Sequence, residues 1–272
     1  MSRVFFRLVS IALILLLAAP SAPAWSRKGH ILITRSAVKL IVEDPAAPAE
    51  LKAILLEGLG DPKKLELLSE FVIGLEDLSR PDHGLDLYSF RPDELASTKS
   101  PVPALNSTED KMHFLDMEFF HPDPARRHFH PAGINKIRAE DLPRNSRDPR
   151  YKEAGYVTFR VAECYKQLKR SLARVHSSEE VFLWIGYLSH YLSDAHQPLH
   201  ATIDYRGYNC PRNREVKYDL HRSMEGDLFR DDRPEGRILR ERFWEHYQRA
   251  LFSTDSVARR KDPYDATVEA LL

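Results

Sequence analysis

The stretch from Leu188 to Ala201 reads L-S-H-Y-L-S-D-A-H-Q-P-L-H-A and decides both the fold and the chemistry of this chain. His190 and Asp194 stand four residues apart, so a helix would project both side chains from one face. Pro198 ends such a helix within a turn, and His200 follows on the exit segment. Two ligand-type side chains on a helical face, with a third after a proline, predict part of a metal cluster.

A second pair with the same spacing lies further along the chain. The segment Y-D-L-H-R-S-M-E-G-D-L-F places His221 and Glu225 four apart on a predicted helix. Imidazole and carboxylate ligands together suit zinc. The chain has only 2 cysteines, Cys164 and Cys210, which are too few for a thiolate zinc site. Their spacing leaves open whether they form a disulfide.

Several other kinds of chemistry lack their sequence signatures. There is no HExxH zinc-protease motif and no GxSxG nucleophile elbow. The GxxxxGK phosphate loop and the GxGxxG dinucleotide fingerprint are absent as well. With 40 basic and 40 acidic residues, the chain is not a polyelectrolyte binder, so recognition of nucleic acid would have to depend on a local site.

Apolar side chains recur with helical spacing along most of the chain, and we expect an all-α fold. The predicted helices that carry most of the core are Ile31–Glu43, Pro48–Leu59, Glu153–Val175, the helix that starts after Ser177, and Ile238–Phe252. Asp61-Pro62 predicts a further helix start, continuing to about Asp77. The residues from Ser79 to Asp110 and from His121 to Arg150 are rich in proline, so we expect loops there.

The first 24 residues have the pattern of a signal peptide. Arg3 and Arg7 precede the apolar run Leu8–Ala19, which is too short to span a bilayer stably. Ala22 and Ala24 occupy the two small positions of a cleavage site, so cleavage would make Trp25 the new N-terminus. We therefore expect residues 25–272 to form one secreted or periplasmic domain; an uncleaved anchor is the alternative.

Five motifs in order resemble the superfamily of zinc-dependent bacterial phospholipases C and single-strand-specific nucleases of the S-one/P-one type. The resemblance extends from Trp25 to about Phe229. Its motifs are Trp25-x4-His30, Gly74-Leu75-Glu76-Asp77, His113-Phe114-Leu115-Asp116, His190-x3-Asp194-x5-His200 and His221-x3-Glu225. The first motif begins at the expected cleavage point, so the signal cleavage would have a chemical purpose.

The resemblance implies a helical domain around three zinc ions. The first zinc would be held by Asp77, His113, His190 and Asp194. The second would be held by His200, His221 and Glu225. The third would take the amino group and carbonyl of Trp25, with His30 and Asp194, so Asp194 would bridge two metals. Glu76 and Asp82 are neighbouring carboxylates that could serve in place of Asp77.

The activity implied by the resemblance is hydrolysis of phosphodiesters by an activated water. Asp77 would orient or deprotonate that water, and Arg80 would contact the phosphate. Phe114 and Asp116 suit base stacking and base-edge hydrogen bonding. The short Trp25-x4-His30 spacing and the segment Arg206-Gly207-Tyr208-Asn209 favour a nuclease acting on single-stranded DNA or RNA.

Two alternatives stay open from the sequence. Glu225 stands where the nucleases usually have aspartate and matches the phospholipases C, for which phospholipid would be the substrate. The other alternative is an exported helical protein whose zinc is structural and whose role is binding rather than catalysis. No stable protein partner is indicated, and we expect a monomer.

Overall fold

The computed structural model describes residues 26–66, 84–95, 98, 108–127, 137–174, 178–209, 215–216, 218–226 and 262–272. The described residues form α-helices, short 3-10 helices and connecting turns without a β-strand, which confirms the all-α prediction. Their α-helices are α1 Arg27–Glu43, α2 Ala49–Leu59, α3 Lys63–Glu66, α4 Gly84–Glu94, α5 Tyr151–Ala154, α6 Val157–Ala173, α7 Ser178–Ala195, α8 Leu220–Gly226 and α9 Pro263–Leu271. Within these ranges, no helix has both the length and the apolarity needed to cross a membrane.

Helix α7 is the central element of the described fold, because α1, α4 and α6 all pack against it. Its first turns contribute Phe182 to a core that also contains Ile31, Leu59 and Leu85. Its later turns contribute Tyr191 to a second core. Apolar burial therefore fixes α7 on two sides, and the segment with His190 and Asp194 lies where the two cores meet.

Helix α4 corrects the expected loop between Ser79 and Asp110. The expectation was wrong because the buried face of α4 carries polar residues, which interrupt the apolar pattern. Asp86 on this face accepts two hydrogen bonds from the buried guanidinium of Arg35 on α1, at 2.9 Å from Nε and 2.7 Å from a terminal nitrogen. This bidentate ion pair satisfies both charges and joins α4 to α1.

The predicted helix Glu153–Val175 is divided in two by Gly155. The one-turn helix α5 ends at Ala154, and α6 begins at Val157. Gly155 has φ of 100°, and a Cβ there would lie 2.3 Å from the carbonyl oxygen of Phe114. Only glycine fits this close approach, which brings the segment after His113 against the start of α6.

Other expectations for single helices had different outcomes. Helices α1 and α2 confirm the predictions for residues 31–43 and 48–59, and Gly60 ends α2 as expected. Helix α9 was not predicted, although Asp262-Pro263 repeats the helix-start signal recognised at Asp61-Pro62. The predicted helix Ile238–Phe252 lies outside the described residues.

Gly186 on α7 should be essential for the contact with α4. A Cβ at this position would lie 2.5 Å from Cβ of Tyr88 and 3.0 Å from the backbone nitrogen of Ser89. We expect Gly186→Ala to lower the free energy of unfolding by about 1–3 kcal/mol, because backbone atoms must move to make room. Urea denaturation monitored by circular dichroism measures this loss. The matched control is Gly226→Ala, where a Cβ meets nothing within 4 Å; an equal loss there would contradict the prediction.

Candidate metal centre

Eight histidine and carboxylate side chains meet at the junction of the two cores in three groups, each with ligand atoms within 4.8 Å of one another. We name each group after one member. The Asp93 group contains Asp93, His113 and His190; the His30 group contains His30, His190 and Asp194; the His200 group contains His200, His221 and Glu225. The structure thus brings together the predicted ligands His30, His113, His190, Asp194, His200, His221 and Glu225.

Asp194 connects two of these groups through its two carboxylate oxygens. Oδ2 lies 3.1 Å from Nδ1 of His113 and 3.3 Å from Nε2 of His190. Oδ1 lies 3.6 Å from Nε2 of His30 and is buried without a hydrogen-bond partner among the described residues. A buried carboxylate oxygen without a donor is costly unless a cation faces it. This arrangement fits a carboxylate that bridges two metal ions.

Asp93 is a ligand candidate that the sequence did not reveal. Its Oδ1 lies 3.7 Å from Nδ1 of His113 and 3.6 Å from Nε2 of His190, while its Oδ2 lies 3.8 Å from Nε2 of His30. It therefore stands where the resemblance places Asp77, which lies outside the described residues. Recognising α4 as a helix next to His190 would have been the signal needed to find Asp93.

Backbone carbonyls fix the ring orientation of two ligand histidines. Nδ1 of His190 donates to the carbonyl of Ser89 at 2.7 Å. Nδ1 of His200 donates to the carbonyl of His113, also at 2.7 Å. A neutral imidazole that donates from Nδ1 keeps a lone pair on Nε2, and both Nε2 atoms face the carboxylates of their groups. Such partners orient metal-binding histidines in proteins generally.

Ser193 performs the same task for His30. The hydroxyl of Ser193 donates to the carbonyl of His190 at 2.7 Å, so its oxygen is left to accept. Nδ1 of His30 lies 3.0 Å from that oxygen and is the donor. Because Ser26 caps α1, His30 lies in the first turn of that helix, with Nε2 directed at Asp93 and Asp194.

The His200 group is compact and is supported from behind by a glutamine. Nε2 of His200 and Nε2 of His221 are 2.9 Å apart, and Oε1 of Glu225 lies 2.9 Å from the latter. The fully buried Gln197 donates from Nε2 to Oε1 of Glu225 at 3.2 Å. Its own oxygen accepts from the backbone nitrogen of Leu199 at 2.9 Å, capping the 3-10 helix that carries His200. Gln197 therefore positions two ligands at once.

Burial shifts the pKa of every ligand side chain toward its neutral form. It lowers the pKa of His30, His113 and His190 well below the usual value, that of His200 to about 3 and that of His221 to about 4. It raises the pKa of Asp93 and Asp194 well above the usual value. Burial, followed by the charge of Asp194, raises the pKa of Glu225 to about 11. Neutral imidazoles with nearby carboxylates are the donor set that zinc binds, so the residues fit this metal.

A buried polar network supports the rings of His113 and His190. The edge of Tyr191 contacts both rings, with centroid separations of 5.2 Å and 5.1 Å. The hydroxyl of Tyr191 donates to Glu109, which also accepts from Nε of Arg160 at 2.8 Å. Both charged groups are buried, so their ion pair keeps Tyr191 in place behind the two ligands.

The predicted substrate-binding residues adjoin the centre without joining its groups. Phe114 is partly buried, and the ammonium of Lys111 lies 5.2 Å from the centre of its ring. Burial, together with the charge of Glu118, raises the pKa of Asp116 to about 7. The segment that carries both residues is held against the centre, because Leu115 donates its backbone nitrogen to the carbonyl of His200 at 2.9 Å.

The remaining predicted residues Trp25, Asp77 and Arg80 lie outside the described part of the chain, as does Cys210. Their roles stay predictions. Comparisons of the chain with protein-family models, with curated proteins and with solved structures gave no match. The resemblance therefore rests on its motifs, and the functional argument rests on the geometry of the three groups.

Gln197→Met should weaken zinc binding at the His200 group by about 10–100-fold, because Glu225 and His200 lose their common support. Competition with a chromophoric chelator measures the affinity of each bound ion. The other ions should keep their affinity. The control is Gln167→Met, which removes an amide that donates to Glu163 on the surface of α6. Equal effects of the two substitutions would contradict the positioning role of Gln197.

Zinc binding should release protons at neutral pH. The raised pKa values of Asp93, Asp194 and Glu225 keep these carboxyls protonated in the metal-free chain, whereas zinc binds carboxylates. The lowered histidine pKa values mean that the imidazoles release none. Affinity should therefore rise with pH between 6 and 8, about tenfold per pH unit for each proton released. Isothermal titration calorimetry in buffers of different ionisation enthalpy counts these protons. A count of zero would contradict the prediction.

Proposed function

We propose that this chain is an exported zinc-dependent phosphodiesterase, most consistent with a nuclease that cleaves single-stranded DNA or RNA. The observation that carries this proposal is the position of Asp194 between two ligand groups. A fold stabilised by one structural zinc needs four ligands, whereas here eight side chains converge and one carboxylate serves two groups. Neighbouring metal sites that share a carboxylate are suited to phosphoryl chemistry.

The centre is closed on one side and open on the other. The side chains of His30, His190 and Asp194 have 0% exposure, whereas that of Asp93 is 14% exposed. A substrate therefore approaches from the side of Asp93. A structural site is closed, while a catalytic site keeps a position for water and substrate. The partial exposure of Asp93 supports the catalytic proposal over a purely structural zinc.

Each side chain can be given a task in hydrolysis. Zinc bound here would lower the pKa of a bound water and stabilise negative charge on the phosphate. Asp93 has one oxygen toward His113 and His190 and the other toward His30, so it can orient a water between the two groups and accept its proton. His30, held by Ser193, and His190, held by the Ser89 carbonyl, keep this geometry fixed. Asp77 and Arg80 remain proposed contributors near the phosphate.

Two considerations decide between nucleic acid and phospholipid as substrate. The spacing from Trp25 to His30 and the segment Arg206–Asn209 support the nuclease, and Phe114 and Asp116 lie beside the centre as a base-binding pair requires. Glu225, which belongs to the His200 group, supports a phospholipase C as the second candidate. Both candidates need export and a free amino group on Trp25 to complete the His30 group.

Asp194→Asn and Asp93→Asn should each abolish hydrolysis of bis-(4-nitrophenyl) phosphate, with a loss of at least about a thousandfold in kcat/KM. Asp194→Asn should also remove at least one of the zinc ions, which elemental analysis counts. Asp61→Asn is the control, since Asp61 is an exposed carboxylate at the start of α3. A wild-type chain that binds one zinc at most, or none, would overturn the proposal.

Asp77→Asn, measured beside Asp93→Asn, separates the two candidates for the same role. We expect Asp93→Asn to lose both zinc and activity and Asp77→Asn to keep its zinc. Single-stranded DNA, RNA and phosphatidylcholine assayed in parallel then identify the substrate. Cleavage of the lipid without cleavage of either nucleic acid would replace the nuclease with the phospholipase.

A further inference from the structure

The turn from Asp204 to Asn209, which follows the His200 group, is rigid and presents two tyrosines and an arginine. The backbone nitrogen of Gly207 donates to the carbonyl of Asp204 at 2.7 Å, and that of Asn209 donates to the Asp204 carboxylate at 3.1 Å. Gly207 has φ of 68°, and a Cβ there would lie 2.3 Å from the Leu220 side chain. Glycine therefore permits both the turn and its close packing on α8.

This turn, which we name the aromatic turn, is attached to the metal centre. The carbonyl of Arg206 accepts from the backbone nitrogen of Leu220, the first residue of α8, at 3.2 Å. The ring of Tyr205 meets the ring of His221 edge to face, with centroids 5.4 Å apart. Since His221 is a ligand of the His200 group, Tyr205 extends the surface of the centre outward.

The exposed part of the aromatic turn combines π surface with positive charge. Tyr205 is 39% exposed, and the Arg206 guanidinium lies 5.3 Å from its ring centre and 5.9 Å from that of Tyr208. Nε of Arg206 lies 3.6 Å from the Asp219 carboxylate, which helps to hold the guanidinium beside the rings. An ordered guanidinium between aromatic rings offers a flat cationic surface, on which a planar group can stack and a phosphate can be bound.

We propose that the aromatic turn binds an unpaired nucleobase and its phosphate next to the bond that is cleaved, with Tyr205 as the stacking residue and Arg206 as the phosphate contact. This inference rests on the proposed phosphodiesterase function and adds the substrate class. Stacking requires a base whose face is free, and in a duplex both faces are covered by neighbouring bases. The aromatic turn therefore selects single strands. A phospholipid head group lacks the planar ring system that this surface fits.

The test compares two substrates that share the chemistry and differ in the base. For Tyr205→Ala, the ratio of kcat/KM on a single-stranded oligonucleotide to kcat/KM on bis-(4-nitrophenyl) phosphate should fall about tenfold or more, mainly through KM of the oligonucleotide. Tyr205→Phe should restore the ratio, because the ring is kept. The control is Tyr165→Ala, since Tyr165 is 41% exposed with the Lys169 ammonium 5.8 Å from its ring, on a different face of the protein.

The possible outcomes separate this inference from the proposed function. Equal losses on both substrates would mean that Tyr205 merely supports His221, and the inference would be wrong. A loss of binding to phosphatidylcholine vesicles, with the oligonucleotide ratio unchanged, would also overturn it. If the zinc-loaded wild type hydrolyses neither substrate, the proposed function fails. Fluorescence anisotropy with a labelled oligonucleotide then decides the inference alone, and a Tyr205→Ala chain that binds as well as wild type would overturn it.

Discussion

A buried carboxylate, Asp194, sets the constraint on which this structure depends. Its side chain has no exposure, and one of its oxygens has no hydrogen-bond donor among the described residues. Such a group is stable as an anion only beside a positive charge. Three of the described helices bring ligands to this point, α1 with His30, α4 with Asp93 and α7 with Asp194 itself. The protein interior is thus arranged to hold cations rather than to exclude polar groups.

The same constraint explains why the centre lies between two cores instead of inside one. Apolar packing around Ile31 and Leu85 fixes α1 and α4, while packing around Val161 and Tyr191 fixes α6 and the end of α7. The ligands occupy the junction, where polar side chains displace little apolar contact. Rigid support comes from both sides, including the carbonyl of Ser89 from one and Tyr191 from the other.

The sequence predicted those parts of the site that depend on local geometry. His190 with Asp194, and His221 with Glu225, were recognisable because helical spacing places residues four apart on one face. Asp93 was not recognised, because its helix α4 turns a polar face inward and the partners of that face lie on other elements. Arg35 on α1, which pairs with Asp86, cannot be connected to α4 from the order of residues alone. Contacts between distant segments, such as Ser193 with His30, escape sequence patterns for the same reason.

The ligands are spread along the chain from His30 to Glu225, and this has a consequence for the life of the protein. Neither half of the chain can assemble the centre alone, because Asp194 needs His30 from one end and the His200 group needs Glu225 from the other. Metal acquisition must therefore be one of the last events of maturation, after synthesis and collapse of the two cores. For an exported chain, that order would let the ions come from the compartment of arrival, and the chain would stay inactive inside the cell that makes it.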